Sequence, residues 1–232
     1  MGGIFYLVGV GPGDPELVSL KAVRILGSVD VVAYAQKPGS QSMALGIAQT
    51  HIALKAKHMA TDIPMLVERA PAQAAYDDLA AAIGVHLKAG RSVAYLCEGD
   101  PLFYGSAIHL LDRLGAEAKV EIIPGINSLD AAAAAAGFAL AVRNDVFKIL
   151  PAPLDSDQLR LELECGQAVA IIKLGRHFER VRAVLIETGH ASGAVVVEYA
   201  SMKSQKITPL LEFEQDTVPY FALVLCRLEH KK

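Results

Sequence analysis

Cysteine is scarce in this 232-residue chain, and no two cysteines are close together. Cys97, Cys165 and Cys226 form no Cys-x-x-Cys motif, so neither a zinc knuckle nor a redox-active dithiol is encoded. Two of the three lie in apolar, strand-like runs, where a free thiol usually serves as a small core residue. A reducing, cytoplasmic setting is therefore expected.

An excess of charge of one sign is also missing. The formal net charge is −3 and charges of both signs are scattered, which gives no electrostatic footprint for nucleic acid or an anionic membrane. No uninterrupted apolar run of about 18 residues occurs, so no membrane span is expected. The Met-Gly-Gly start lacks the basic flank and cleavage site of a signal peptide. An anionic ligand would have to be met by locally placed lysines or arginines.

Complete nucleotide-binding motifs are absent. There is no Walker A loop, and Gly9-Val10-Gly11 begins a Gly-x-Gly-x-x-Gly motif in which Asp14 replaces the third glycine. That carboxylate would face the pyrophosphate which the following helix should bind. A nicotinamide-dependent oxidoreductase would also need an acidic residue at the end of the second strand, where the chain has Tyr34-Ala35. This class is disfavoured.

Hydrophobic residues make up 53% of the chain and charged residues 20%, and apolar runs alternate with helical spacing. The predicted strands of the first half cover residues 4–10, 29–34 and 92–97, with helices over 17–26, 43–50, 72–89 and 108–114, and an irregular segment over 51–65. Alternation of this kind predicts a parallel sheet. A strand over 120–123 opens the second half.

The second half is richer in strands near its end. Strands are predicted over 146–150, 168–173, 194–198 and 219–228, with helices over 129–136, 157–164 and 178–187. The last strand is expected to be a central or barrel-like strand, and some antiparallel pairing is expected. The predicted fold is α/β in two domains, residues 1–118 with a mostly parallel sheet and residues 119–232 with a mixed sheet.

Residues 92–106, SVAYLCEGDPLFYGS, predict a buried strand, an acidic turn and a helix. In open α/β sheets, ligands bind beyond the carboxyl ends of strands, so the turn at 98–101 is a candidate site. A plain turn in which Asp100 caps the following helix would give the same pattern. A second turn, PGINS at 124–128, follows the strand predicted over 120–123.

The charge of these turns indicates which ligand they suit. Glu98 and Asp100 suit cationic and hydroxyl groups, and the backbone around glycine offers N–H and C=O groups to a base or a carboxylate. A phosphate would require the opposite charge.

Three motifs in order resemble the tetrapyrrole methylases of cobalamin and sirohaem synthesis. They are GVGPGDPEL at 9–17, EGDP with YG within 98–105, and PGI at 124–126, and the resemblance covers essentially the whole chain. The runs IKLGRHF at 172–178 and PYF at 219–221, with CEGDPLFYGS before them, look like the precorrin-2 C20-methyltransferase branch.

The resemblance implies a two-domain α/β homodimer that binds S-adenosylmethionine in the cleft between its domains, releases S-adenosylhomocysteine and methylates C20 of precorrin-2 to give precorrin-3A. The cofactor-binding positions that it implies are Pro12, Glu98, Gly99, Asp100, Phe103, Asn127, Ser128, Leu174 and Ala200, with Lys173 an alternative to Leu174 on the adenine side. Many relatives have Met-Gly where this chain has Leu174-Gly175.

Catalysis by such an enzyme is mostly an alignment problem, because the transferred methyl is already activated. The candidates for accepting the proton that the substrate loses are Glu98 and Tyr104, with His177 as a third that also fits an ordinary surface histidine. The substrate carries eight carboxylates while the protein is net acidic. Lys173 and Arg176, with Arg143 as a weaker third, are therefore candidate substrate-binding residues.

Other readings stay open at this point. Relatives that methylate uroporphyrinogen carry an Asp where this chain has Ala35, and this difference weakens the case for uroporphyrinogen as the substrate. A diphthine-forming methylase of the same fold is disfavoured by the C-terminal motifs, which resemble those of the precorrin-2 branch. A binding protein without catalytic activity is also disfavoured, because it would not need two Gly-Pro turns with acidic or amide side chains. The motifs do not separate metal-free precorrin-2 from cobalt-factor II.

Overall fold

The computed structural model describes residues 2–64, 70–116, 118–164 and 168–227. The chain divides into two compact units, unit 1 from Met1 to Asn127 and unit 2 from Ser128 to Lys232. The strands are β1 (Ile4–Gly9), β2 (Val31–Gln36), β3 (Lys57–Asp62), β4 (Val93–Cys97), β5 (Lys119–Ile123), β6 (Phe147–Pro151), β7 (Ala168–Ile172), β8 (Ala194–Glu198), β9 (Lys206–Pro209) and β10 (Ala222–Arg227). The α-helices are α1 (Leu20–Leu26), α2 (Met43–Ala48), α3 (Ala70–Lys88), α4 (Ile108–Leu114), α5 (Ser128–Ala136), α6 (Ser156–Glu164) and α7 (Phe178–Glu187).

Unit 1 is built on a fully parallel five-stranded sheet in the order β3-β2-β4-β1-β5. Its central strands β1 and β4 are apolar on both faces because helices cover both. One face buries Val8, Val32 and Leu96 with α1 and α2, and the other buries Leu7 and Tyr95 with α3 and α4. Since every strand is parallel, all their carboxyl ends meet at one edge of the sheet.

Unit 2 contains a mixed five-stranded sheet in the order β6-β7-β10-β8-β9. β10 is the central strand and runs antiparallel to β7 and β8, as the sequence predicted for the last strand. One face packs on α6 and α7 around Leu159, Phe178 and Val196. The alanine-rich helix α5 contacts β8 and β10.

Side-chain oxygens cap three helix starts. Ser19 Oγ accepts from the Ala22 N–H, Asp14 Oδ1 from the Glu16 N–H and Asp155 Oδ1 from the Gln158 N–H. Each satisfies a backbone donor that a helix start would leave unpaired.

The structure differs from the predicted domain division. Strand β5 pairs with β1 along its whole length and completes the sheet of unit 1, so the structural division follows Asn127, whereas the sequence-based division followed residue 118. The chain turns back onto unit 1 for one more parallel strand before unit 2 begins.

Two strands and one loop were predicted wrongly. The segment 51–65 was expected to be irregular, but residues 57–62 form β3, and β9 was not predicted; both lie at sheet edges and are mostly exposed. Helical structure was expected directly after Pro101, but residues 101–107 form turns and α4 starts at Ile108.

Two cysteines lie in the described part of the chain, Cys97 and Cys226, and both are buried free thiols. Burial raises the pKa of the Cys97 thiol well above its ordinary value and raises that of Cys226 to about 12. Both are core residues, as expected; Cys165 lies outside the described residues. Within that described part, no helix combines the length and the apolar character needed to cross a membrane.

Candidate ligand-binding loops at the strand ends

Three loops of unit 1 pack backbone to backbone at the carboxyl edge of its sheet, and glycine makes this possible. A Cβ atom on Gly125 would lie 2.1 Å from the Gly99 carbonyl oxygen, and one on Gly9 would lie 2.6 Å from the Gly125 nitrogen. Real Cβ atoms do not approach so closely. The loops after β1, β4 and β5 therefore form one continuous surface.

Hydrogen bonds join the same loops. The Gly99 N–H donates to the Gly11 carbonyl over 2.8 Å, and the Gly11 N–H donates back over 3.4 Å. Both glycines have left-handed backbones, with φ of +82° at Gly11 and +63° at Gly99, a conformation that costs other residues energy. The first and second loops are thus held in register by the glycines of the two motifs.

The Asp100 carboxylate accepts hydrogen bonds from the backbone of the loops. Its Oδ1 accepts from the Leu102 N–H at 2.9 Å and its Oδ2 accepts from the Gly125 N–H at 3.1 Å. The first bond shapes the turn after β4, and the second ties it to the loop after β5. Both carboxylate oxygens bond to backbone; the sequence allowed for Asp100 as a cap of its own turn, but it did not foresee the bond to Gly125.

Glu98 reaches from the end of β4 to the start of α2. Its Oε1 accepts from the Ala44 N–H at 3.2 Å. Although the residue retains exposed surface, the protein atoms around the carboxyl displace water and raise its pKa, and the bond from Ala44 acts in the opposite direction. The contact with α2 could not be anticipated because the two residues are far apart in sequence.

The remaining predicted residues of this region lie in or beside the three loops. Pro12 is buried, and Asn127 follows the third loop with its Cα within 3.8 Å of a Cβ built on Gly99. Phe103 is half-buried and packs edge to face with the exposed Tyr104 ring, with centroids 5.1 Å apart. Tyr104 has φ of +53°. Ser128 is the first residue of α5 and of unit 2.

In unit 2, Leu174 and Ala200 lie at one edge of the sheet. β7 and β8 both run antiparallel to β10, so they are parallel to each other and their carboxyl ends share an edge. Leu174 is fully buried and Ala200 is nearly so. Lys173, directly after β7, is exposed and has φ of +60°.

Basic residues cluster after β7. Arg176 and Arg180 both act on His177, because after burial their positive charges are the causes that lower its pKa. Arg180, which the sequence analysis did not single out, donates from Nη2 to the Ala152 carbonyl beyond the end of β6. Lys173, Arg176 and Arg180 thus place positive charge at this edge of the sheet.

Arg143 is not part of this cluster. It lies in a turn before β6, whose first residue pairs with Ala168 at the start of β7. The turn is fixed by Asp145, which accepts from the Val142 N–H and pairs with Arg227 at the end of β10. Arg143 therefore lies at the opposite edge of the sheet from Lys173, and its role as a third substrate-binding residue stays a prediction.

The fold and these loops define an α/β protein whose ligand-binding candidates lie at the carboxyl edges of two sheets. The family model described as Tetrapyrrole (Corrin/Porphyrin) Methylases matches residues 5–214, and the chain belongs to this family.

Within the family, the similarity is to the precorrin-2 C20-methyltransferase branch. The chain is 38% identical to a precorrin-2 C(20)-methyltransferase of Sinorhizobium sp., over 94% of this chain and 92% of that protein. It is 28% identical to the cobalt-precorrin-2 C(20)-methyltransferase of Salmonella typhimurium over 97% and 96%. It is 38% identical to the cobalamin biosynthesis protein CobIJ of Mycobacterium bovis over 96% of this chain but 46% of that protein, so it spans about half the length of this relative.

The solved structures confirm the fold. A uroporphyrin-III C-methyltransferase from Thermus thermophilus, complexed with S-adenosyl homocysteine, superposes with a TM-score of 0.69 at 23% identity, over 97% of each chain. The predicted α/β fold with a parallel and a mixed sheet is therefore confirmed.

Proposed function

We propose that the chain is an S-adenosylmethionine-dependent methyltransferase that methylates C20 of precorrin-2, giving precorrin-3A, in cobalamin biosynthesis. The observation that carries the proposal is its 38% identity to a precorrin-2 C(20)-methyltransferase over nearly the full length of both chains. The proposed cofactor is supported by the relative that was solved with S-adenosyl homocysteine.

The loops of unit 1 fit such a cofactor chemically. They carry Glu98 and Asp100 and contain no lysine or arginine, so their charge suits a cationic, hydroxylated ligand and not a phosphate. The close glycine packing leaves backbone N–H and C=O groups at the loop surface. Pro12, Gly99, Phe103, Asn127 and Ser128 are proposed to contact the cofactor there. Leu174 and Ala200 are proposed for its adenine side.

S-adenosylmethionine supplies a methyl group already activated on a sulfonium, so the protein must align the substrate carbon in line with the departing sulfur. The chain's residues then have to take up the proton that C20 loses. Glu98 is the proposed acceptor, because its raised pKa brings it closer to neutral pH, where a general base works best. Tyr104 is the alternative acceptor.

The carboxylate arms of the substrate are proposed to bind Lys173 and Arg176. Both lie at the basic edge of unit 2, and arginine binds carboxylates through two parallel hydrogen bonds. Arg176→Ala should raise the KM for the tetrapyrrole about tenfold while leaving the KM for S-adenosylmethionine nearly unchanged.

Arg143→Ala is the matched comparison, since it removes the same charge at the opposite edge of the same sheet and should have a much smaller effect. An equal rise in both KM values of Arg176→Ala would contradict the substrate role, and so would equal effects of the two substitutions.

The reaction itself is tested by incubating the purified protein with S-adenosylmethionine and precorrin-2 and locating the new methyl by NMR. A methyl at a carbon other than C20, or none, would reject the proposal. A second candidate substrate is cobalt-factor II, because a relative that matches over nearly its full length is named a cobalt-precorrin-2 C(20)-methyltransferase. Parallel incubations with both substrates distinguish the two.

The working form is proposed to be a cytoplasmic homodimer, as the family resemblance implies. Light scattering coupled to gel filtration gives the mass in solution. A mass equal to that of a single 24.7 kDa chain at micromolar concentration would contradict the dimer.

A further inference from the structure

The segment 173–179 is attached at both ends to one residue, Ala152, which directly follows β6. At the start of the segment, the Ala152 N–H donates to the carbonyl of Ile172, the last residue of β7, over 2.8 Å. At its end, Arg180 in the first turn of α7 donates from Nη2 to the Ala152 carbonyl. Ala152 itself is fully buried. The two bonds therefore fix both ends of the segment to the same point of unit 2.

The backbone between these two bonds is tightly wound. Lys173 and Gly175 have φ of +60° and +38°, and the His177 N–H donates to the Leu174 carbonyl over 2.7 Å. A left-handed conformation costs a residue other than glycine free energy, and it persists only where the surrounding structure holds it. The bonds of Ala152 contribute to that support.

Arg180 is poorly suited to a purely stabilising role. Its Nη2 bonds to a neutral carbonyl, but its Nη1 is buried and has no hydrogen-bond partner among the described residues. A buried cationic donor without an acceptor costs free energy, and this cost offsets much of what the other bond contributes. An unsatisfied buried group of this kind requires an explanation other than stability.

We propose that Arg180 is a positioning residue, which through the Ala152 carbonyl fixes the segment that carries Lys173, Leu174 and Arg176. This inference rests on the proposed function, in which Lys173 and Arg176 bind carboxylates of the tetrapyrrole and Leu174 lies on the adenine side of S-adenosylmethionine. Arg180 touches neither ligand and acts through the backbone of a segment that serves both. A change at Arg180 should therefore affect both ligands, whereas the loss of Arg176 affects the tetrapyrrole alone.

The test is Arg180→Met, which keeps a long apolar stem but removes the hydrogen bond to Ala152. It should raise the KM for precorrin-2 and the KM for S-adenosylmethionine by about tenfold each, in line with the loss of a hydrogen bond made by a charged group. Arg180→Lys keeps the charge and a donor, so its two KM values should stay within about threefold of those of the wild type.

Arg182→Met is the matched control. Arg182 lies on the same helix and donates to the carbonyls of Phe213 and Gln215, so it also joins α7 to another part of unit 2, but outside the segment 173–179. Its removal should leave both KM values unchanged, although it also breaks an ion pair with Asp216. If Arg182→Met raised both KM values as Arg180→Met does, any loosening of α7 would suffice and the proposal would be overturned.

The double variant Arg176→Ala/Arg180→Met separates positioning from a second direct contact with the substrate. If Arg180 acts through Arg176 and its neighbours, the rise in the KM for precorrin-2 should be clearly smaller than the product of the two single effects. Effects that multiply fully would overturn the proposal.

The proposal is also overturned if Arg180→Met changes only one of the two KM values or neither, if it does not fold, or if Arg180→Lys is as impaired as Arg180→Met. Wild-type protein that transfers no methyl to precorrin-2 would refute the proposed function itself. An active wild type together with any of these outcomes would refute this inference alone.

Discussion

Asp100 shows at the scale of one residue how a motif can have a role that its sequence does not reveal. The sequence leaves two uses open, a contact with a cationic ligand and a cap of the following turn, and in the structure both oxygens accept backbone N–H groups, from Leu102 and Gly125. The side chain therefore holds two loops together and acts on a ligand through their positions. Glu98 does the same towards α2 through Ala44.

Asp100→Asn tests this role because it keeps the shape but replaces one acceptor oxygen with a donor. One of the two loop bonds is lost, so the free energy of unfolding should fall by about 1–3 kcal/mol, and the affinity for S-adenosylhomocysteine should fall with it. Urea unfolding and calorimetry measure the two quantities. Asp112→Asn, on the exposed side of α4, is the control. An Asp100→Asn variant with wild-type stability would contradict the role of Asp100 in holding the two loops together.

His190 predicts a pH dependence of stability. It is 4% exposed, and burial is the main cause that lowers its pKa below the ordinary value of 6.5. Its Nδ1 lies 3.1 Å from the Thr188 carbonyl oxygen, and hydrogen bonding to the backbone of Thr188 and Leu163 opposes the effect of burial on the pKa without outweighing it. The fold therefore favours the neutral ring.

The pKa of His190 is lower in the folded state than in the unfolded state. The contribution of its neutral ring to the free energy of unfolding is therefore complete above about pH 6.5 and is lost as the pH falls below that value. His190→Asn should reduce the slope of unfolding free energy against pH between about 6.5 and 5, as urea unfolding at each pH would measure. An unchanged slope would show that His190 does not contribute. His86 acts in the same direction, since burial also lowers its pKa.

At the scale of elements, the well-predicted pieces are those buried on both faces. Strands β1, β4 and β7 are apolar throughout, and such runs indicate a strand without knowledge of its neighbours. β3 and β9 were missed because an edge strand exposes most of its side chains and keeps little hydrophobic pattern. The loop at 101–107 was taken for helix because helical spacing does not show where a helix begins.

The glycine packing of the three loops gives a prediction at this scale. In Gly125→Ala the new Cβ would overlap the Gly99 carbonyl, so the third loop must move. We expect a loss of at least about 2 kcal/mol of stability, in the range of severe backbone conflicts, and a large loss of affinity for S-adenosylhomocysteine. Gly84→Ala is the matched control, because a Cβ there meets nothing within 4 Å. In the interior of a helix such as α3, alanine is about 1 kcal/mol more favourable than glycine, so this variant should not lose stability. Equal behaviour of the two variants would contradict the packing argument.

At the scale of the molecule, each unit has its own sheet and core. If the cofactor binds the folded chain as proposed, it must raise the stability of that fold by mass action. At a ligand concentration of 100 times Kd, the gain is about 2.7 kcal/mol. At about 2–4 °C for each kcal/mol in a chain of this size, S-adenosylhomocysteine should raise the melting temperature by roughly 5–10 °C, as calorimetry would measure. ATP is the control and should give no shift; a shift with ATP alone would contradict the charge argument for the loops.

The sequence alone determined the fold class, the family and the positions of the loops at 9–14, 98–101 and 124–127, because buried strands and glycine turns leave a strong local pattern. It did not determine which side chains meet. Tertiary structure decided that Asp100 and Glu98 bond to backbone, that Arg180 lies near Arg176, that Arg143 lies at the opposite edge from Lys173, and that β5 belongs to unit 1. These are contacts between residues far apart in sequence or matters of strand direction, and neither is encoded in local spacing.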